Sequence, residues 1–326
     1  NDIKSPKQKR LELSFILRVG ISHPAPRAMR FHSPGGFLLP PGRLRCDRED
    51  LAAMKYMTFN SSCSYAGLAN LLSFYGIDTE DRKIAVEMGL PYYFDVEDGT
   101  FSAGAMLQGE KWFNVYLNPL GFAWKEREME KAKLCPTLRG IGYAMLGVYT
   151  YAGSKHAVIF TGMKNDKFEF LNNKWERADE PDALLLTEKE LLRRVEDPAV
   201  VGYLVKTGRK PVCKNELLKG SESTLMKLLD EIQTFCADER SVPELRSSMS
   251  TIFRPILLDG ITMLDLLGQT ALGDPLRAVQ RQYLGALKEN RPLRLAQHLD
   301  LDLLREAACG YAALIRGQIT EESPVC

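Results

Sequence analysis

A change of hydrophobic period along the chain most constrains what it can fold into. In "CSYAGLANLLSFYGI", Tyr65, Leu68, Leu72 and Tyr75 recur at helical spacing, and Ala66 and Ala69 add helix propensity. Gly76 stands where a helix would be capped. "TEDRKIAVEMGL" reads as a second short helix, capped by Thr79 and stopped by Gly89. "SAGAMLQGEKWFNVYLNPLG" reads as one or two more, closed by Gly121, and "EMEKAKLC" as another. From about residue 143 the pattern shifts to strands. "YAMLGVYTY" alternates and is rich in strand formers, and "HAVIFTG" and "KFEFLNN" follow, joined by a turn carrying Asn165 and Asp166. "TEKELLRRV" is a helix with a Thr187–Glu190 capping box, and "VVGYLVKT" a closing strand. Helices first and antiparallel strands after predict an α+β fold, not the βα alternation of a parallel sheet.

Near residue 214 the helical period returns. Leu225, Leu228, Leu229, Ile232 and Phe235 form one stripe. A Ser241–Glu244 box opens a helix carrying Leu245, Met249, Ile252 and Ile256. "GDPLRAVQRQYLGAL" starts with Asp274 as cap and Pro275 in its first turn, and "LDLLREAACGYAALIRG" is the last helix. A chain of 326 residues has room for two domains. The expected division is an irregular N-terminal extension over 1–53, an α+β domain over 54–212 and an all-helical domain over 213–326. The extension is rich in Pro, Gly and Arg without period. Three readings stay open for it: a tail, a wrap over the following domain, or a non-native lead before Met54 or Met57. The C-terminal helices fit a lid, a substrate-selecting cap, a homodimer surface or a carrier-protein dock, and their stripes are expected mostly to serve their own core.

Basic and acidic residues balance at 43 against 42, which gives no electrostatic footprint for nucleic acid or an anionic membrane. No apolar run is long enough to span a bilayer, and "LELSFILRVGI" is short, contains Arg18 and lacks a cleavage site. Seven scattered cysteines with no CxxC pair argue against a zinc site and a disulfide framework, so a reduced, cytoplasmic chain is expected. No GxGxxG or P-loop is present, and no cofactor or metal is expected.

Cys63 stands where the first helical turn begins, preceded by the cap-type residues "NSS". A helix N-terminus stabilises a thiolate, the reactive form of cysteine. A nucleophilic cysteine also needs a base, and the base an orienting partner. His156 opens a strand and is the candidate base. A hairpin turning near 163–166 places it opposite roughly 172–175, so the amide oxygen of Asn172 or Asn173 can accept an imidazole N–H and fix the tautomer. Taken singly, such a cysteine is more often a buried apolar residue, such a histidine structural, and paired asparagines the end of a strand.

The order of a cysteine-headed helix, "HAV" on a strand and Asn on the next strand, sixteen residues beyond the histidine, resembles the papain-like cysteine-peptidase fold. "CSYAGLANLLSFYGI" with "HAVIFTG" more closely resembles its bacterial branch, which includes bacteriocin leader peptidases and the N-terminal domain of butirosin-biosynthesis acyltransferases. "GLPYYFDVED" is similar to the acyltransferase side. The resemblance covers about 54–208. It implies Cys63 as nucleophile, His156 as base and acid, Asn172 as orienting residue, and a peptide, amide or acyl-carrier substrate. Three departures stand out. "KYMTFNSS" lacks the family's glutamine, leaving Asn60 or a serine hydroxyl for the oxyanion; Trp175 lies three positions after Asn172; and Ser64 and Tyr65 replace the Gly and Pro of the leader peptidases. A non-enzymatic scaffold of the same fold, binding a peptide or protein with its thiol unused, is the alternative, and the missing glutamine favours it. "PYYFDVED" reads as an exposed loop, either lining a cleft or simply solvated, and Trp112, Phe113 and Tyr116 read as core. Cys135, before Pro136, reads as inert in a connector, Cys213 as a junction residue and Cys326 as a tail residue.

Overall fold

The computed structural model describes residues 54–59, 63–149, 155–207, 212–290 and 292–319. The extension over 1–53 and Asn60 lie outside the described residues. Among the described residues the first elements are helices α1 (Cys63–Ser73) and α2 (Asp81–Met88). Gly76 and Gly89 follow them at φ +80° and +77°, a left-handed conformation that ends a helix without the strain a Cβ would bring. A hairpin comes next, β1 (Phe94–Glu97) and β2 (Thr100–Ala103), then α3 (Glu110–Leu117), β3 (Phe122–Met129) and α4 (Lys131–Gly140). The remaining sheet elements are β4 (Ala144–Tyr149), β5 (Lys155–Lys164), β6 (Lys167–Asn172), β7 (Ala183–Leu186) and β8 (Ala199–Lys206), with α5 (Glu188–Arg194) before β8. Six strands form one antiparallel sheet in the order β3-β8-β4-β5-β6-β7. The protein is α+β.

Strand alternation splits the sheet into two apolar faces. Trp124, Met145, Ile159 and Leu204 face α1 and α3. Leu146, Val148, Val158, Phe160, Phe168, Phe170 and Val201 build a second core with Leu134 and Leu138 of α4 and Leu191 of α5. Asn165 and Asp166 turn the β5–β6 hairpin at φ +50° and +59°. The Thr187–Glu190 capping box is present.

Several local expectations are corrected. Residues 122–129 form strand β3, in which four consecutive charged residues, Lys125 to Glu128, are exposed. That charge hid its strand character, which comes from pairing with β8. Residues 100–103 also form a strand. Thr79 does not cap α2; its hydroxyl lies 3.4 Å from the Tyr116 hydroxyl. Cys135 sits inside α4, buried, and burial pushes its thiol up to about 11. Cys213 is disulfide-bonded, whereas Cys63, Cys135, Cys236 and Cys309 are free thiols.

The C-terminal part holds α6 (Lys214–Cys236), the short strand β9 (Glu239–Arg240), α7 (Val242–Ser248), a widened helical segment over 249–260, α8 (Ile261–Leu266), α9 (Thr270–Glu289), β10 (Leu293–Arg294) and α10 (Leu301–Gln318). The Ser241–Glu244 box caps α7. Helix α9 starts at Thr270, which puts Pro275 inside it, and Asp274 pairs with Arg277 at 2.9 Å instead of capping. The stripes of these helices do not close on one another alone. Leu225, Leu276 and Tyr311 share one continuous apolar cluster with Leu68, Phe94 and Phe113. The contact runs through "PYYFDVED", which is not an exposed loop: Pro91, Tyr93 and Phe94 are buried. Tyr311 donates its hydroxyl hydrogen bond to the Pro91 carbonyl, and its ring meets Phe94 edge-on at 5.0 Å. Among the described residues, no helix is long and apolar enough to cross a membrane.

Candidate active site

Helix α1 rests on the sheet through Cys63, Gly67 and Asn70, at i, i+4 and i+7 on one face. Gly67 permits a close approach: a Cβ there would lie 2.6 Å from both Asn173 Nδ2 and Met145 Sδ. Asn70 donates from Nδ2 to Asn173 Oδ1 at 2.9 Å and to the Lys55 carbonyl at 2.8 Å, and its Oδ1 accepts the Lys55 N–H at 2.8 Å. Asn173 Nδ2 donates to the Ala157 carbonyl at 2.9 Å. These bonds tie the helix to β5 beyond the end of β6.

That end sets the position of the thiol. The last β5–β6 pair is Val158 with Asn172. A strand residue's N–H and C=O point to the same edge. At Ala157, the carbonyl on that edge is taken by the Asn173 side chain, and the N–H of the same edge favours the Cys63 thiolate. Burial pushes the Cys63 thiol up; the N–H of Ala157, the Ser64 hydroxyl and the amides of the first helical turn act in the opposite sense.

His156 immediately precedes Ala157 on β5 and pairs with Val148. Alternation gives it the same sheet face as Val158 and Asn172. Asn172 is 1% exposed. Its Nδ2 donates to Glu180 Oε2 and to the Pro181 carbonyl, both at 3.1 Å. Its Oδ1 is buried with no hydrogen-bond partner among the described residues. The two adjacent asparagines are thus divided by the strand. Asn173 faces α1 with its amide engaged on both sides, and Asn172 carries an unused acceptor on the face of His156.

Sequence reasoning missed three polar contributors. Ser64 donates to Gln108 Oε1 at 2.7 Å, and Gln108 Nε2 donates to the Ala105 carbonyl at 2.9 Å. Gln108 is distant in the chain and carried no sequence signal. Asn70 did carry one, a lone amide within the apolar run "AGLANLLS". Glu180 lies in a loop with no periodicity. Among the described residues, no group of three or more His, Cys, Asp or Glu side chains converges on a metal position. A separate open cavity of about 310 Å³, lined by Arg281, Gln282, Gly285, Ala286, Glu289, Gln297 and His298, shares no residue with this site.

Fold and site together define an α+β protein whose helix-start cysteine is held at the edge of a histidine-bearing strand. No family model matches the chain, and no curated protein matches it. Among solved structures, it is similar to the peptidase domain of Streptococcus ComA, a bi-functional ABC transporter involved in a quorum-sensing pathway, at 11% identity and TM-score 0.32, covering 47% of this chain and 97% of that one. It is also similar to a periplasmic domain of the EpsAB fusion protein of the Vibrio vulnificus type II secretion system, at 14% identity and TM-score 0.25, covering 84% of this chain and 90% of that one. At these scores neither neighbour assigns a family or an activity.

Proposed function

We propose that the site performs cysteine-nucleophile acyl transfer on a papain-like fold, through a thioester on Cys63. The seating of α1 on β5 carries this reading: Gly67 lies against Asn173, whose Nδ2 bonds the Ala157 carbonyl, and the Ala157 backbone amide, next to His156, acts on the Cys63 thiol. His156 takes the thiol proton as Sγ attacks an acyl carbonyl. The amide at the start of α1 stabilises the oxyanion. His156 then gives the proton to the leaving group, and a second acceptor releases the acyl group. Water as acceptor makes the protein a peptidase or amidase, and an amine makes it an acyltransferase. The acyl donor is a peptide, an amide or an acyl carrier.

Cys63 is half-buried, and the desolvation that raises its thiol favours a second reading, a scaffold that binds a peptide or protein and leaves Cys63 unused. The pH dependence of iodoacetamide labelling at Cys63, mapped by mass spectrometry in the native chain and in His156→Ala, separates the two. A working pair labels below about pH 7 and loses this in the variant. A scaffold thiol labels only above the ordinary range near pH ~8.5, in both proteins.

A further inference from the structure

We propose that Glu180 is a positioning residue for this site: its carboxylate and the Pro181 carbonyl fix the Asn172 amide so that Oδ1 faces His156. The inference rests on the Cys63–His156 reading above. An amide side chain has two orientations of similar shape and opposite hydrogen-bonding character. At Asn172 the choice is forced from outside. Glu180 Oε2 and the Pro181 carbonyl are both acceptors, each 3.1 Å from Nδ2, so a flipped amide would set oxygen against two oxygens. The backbone adds to this hold, since the Asn172 N–H donates to the Asp182 carbonyl at 2.8 Å.

The cost of this arrangement is visible. Asn172 Oδ1 is left buried and unpartnered among the described residues, in a residue 1% exposed. A buried acceptor without a donor is disfavoured by its desolvation and calls for an explanation. Oδ1 lies on the sheet face of His156, two residues along β5 from the Val158–Asn172 pair. An imidazole N–H turned toward it would satisfy the oxygen and leave the other ring nitrogen for Cys63. The orientation of one amide thus selects the tautomer in which His156 acts as a base.

Two lysines near this end of the sheet are paired. Lys174 bonds Asp182 at 3.0 Å and the Ala178 carbonyl at 3.2 Å, and Lys155 pairs with Glu196, which also accepts from Tyr149. On the His156 face the neighbouring side chains Val148 and Val158 are apolar.

The test is the pH profile of iodoacetamide labelling at Cys63 in the full chain, with thermal melting as a companion. The variants are His156→Ala, Glu180→Gln, Glu180→Ala and Glu180→Lys. Glutamine can still accept from Asn172, so its labelling midpoint stays within about 0.3 pH units of the native chain. Alanine removes one of the two acceptors and raises the midpoint by about half a unit. Lysine offers only donors, draws Oδ1 outward and raises the midpoint by about one unit or more. Equal shifts in the Gln and Ala variants would show that only the charge matters and would overturn the proposal. Lowered melting temperatures with an unmoved midpoint would do the same, because Glu180 would then be a loop clasp. If His156→Ala labels like the native chain, the acyl-transfer reading falls, and this proposal falls with it. If His156→Ala abolishes low-pH labelling while the Glu180 series does not follow the order Gln, Ala, Lys, this proposal alone fails.

Discussion

Replacing Asn173 with alanine removes the pin that holds α1 to β5. The side chain is fully buried and makes two bonds of 2.9 Å, one donated to the Ala157 carbonyl and one accepted from Asn70 Nδ2. Truncation strands both partners. Asn70 keeps its second amide hydrogen on the Lys55 carbonyl, so one donor and one acceptor are left unmet. Each stranded buried group costs about 1–3 kcal/mol. The expected loss is about 3 kcal/mol, roughly a hundredfold in the folding equilibrium. Urea titration followed by tryptophan fluorescence reads it as a lower midpoint at unchanged slope. Because Asn70 and Asn173 share a bond, the Asn70→Ala, Asn173→Ala double variant should lose about 1 kcal/mol less than the sum of the singles. Cys63 labelling should also change, since the freed Ala157 segment carries the backbone amide that favours the Cys63 thiolate. A loss below about 0.5 kcal/mol, the size of an ordinary surface change, with additive singles, would refute the account of the α1–β5 junction.

Gly67→Ala should destabilise by about 1–2 kcal/mol despite a helix-propensity gain of about 1 kcal/mol, because the new methyl displaces Asn173 Nδ2 and Met145 Sδ. Thermal melting together with altered Cys63 labelling checks this. Gly202→Ala should cost about 3 kcal/mol or more. Its Cβ would lie 1.9 Å from Trp124, a buried ring packed edge-on against Phe113 at 5.0 Å with its indole N–H on Glu126; chemical denaturation should show a large midpoint drop. Asp259 is raised by burial to about 6 from an ordinary value of 3.8, and Arg254 opposes the rise. A carboxyl raised in the folded state lends stability that is complete in acid and lost as pH climbs through about 6, by about 3 kcal/mol in all. Asp259→Asn should therefore gain melting temperature relative to the native chain between pH 4 and 6.5, and a difference constant across that range would contradict the assignment.

The fold class was legible because it depends on periodicity, a local property. The segregation of helices from strands gave α+β directly. Asn165 and Asp166 placed the β5–β6 turn and thereby set Asn172 two residues along from His156. Strand β3 was not legible: four consecutive charged residues, exposed on both faces, interrupt any apolar alternation, and only pairing with β8 makes it a strand. "PYYFDVED" was misread for the related reason that its partners are distant in the chain: Tyr93 packs on Trp112, and Phe94 on Tyr311 of the last helix.

By itself the sequence determined most of the helices and the strands from β4 onward, the β5–β6 turn, and that Cys63, His156 and the two asparagines lie near the ends of their elements. Caps, left-handed turn residues and hydrophobic period act over a few residues and can be read there. The tertiary structure decided what those residues touch. It set the Ala157 backbone amide to act on the Cys63 thiol, divided Asn172 from Asn173 across the sheet, and brought Ser64, Gln108 and Glu180 to the site. Those contacts follow from where β6 stops and how closely α1 can approach at Gly67. Both depend on the stacking of layers, and no local stretch of the chain carries that information.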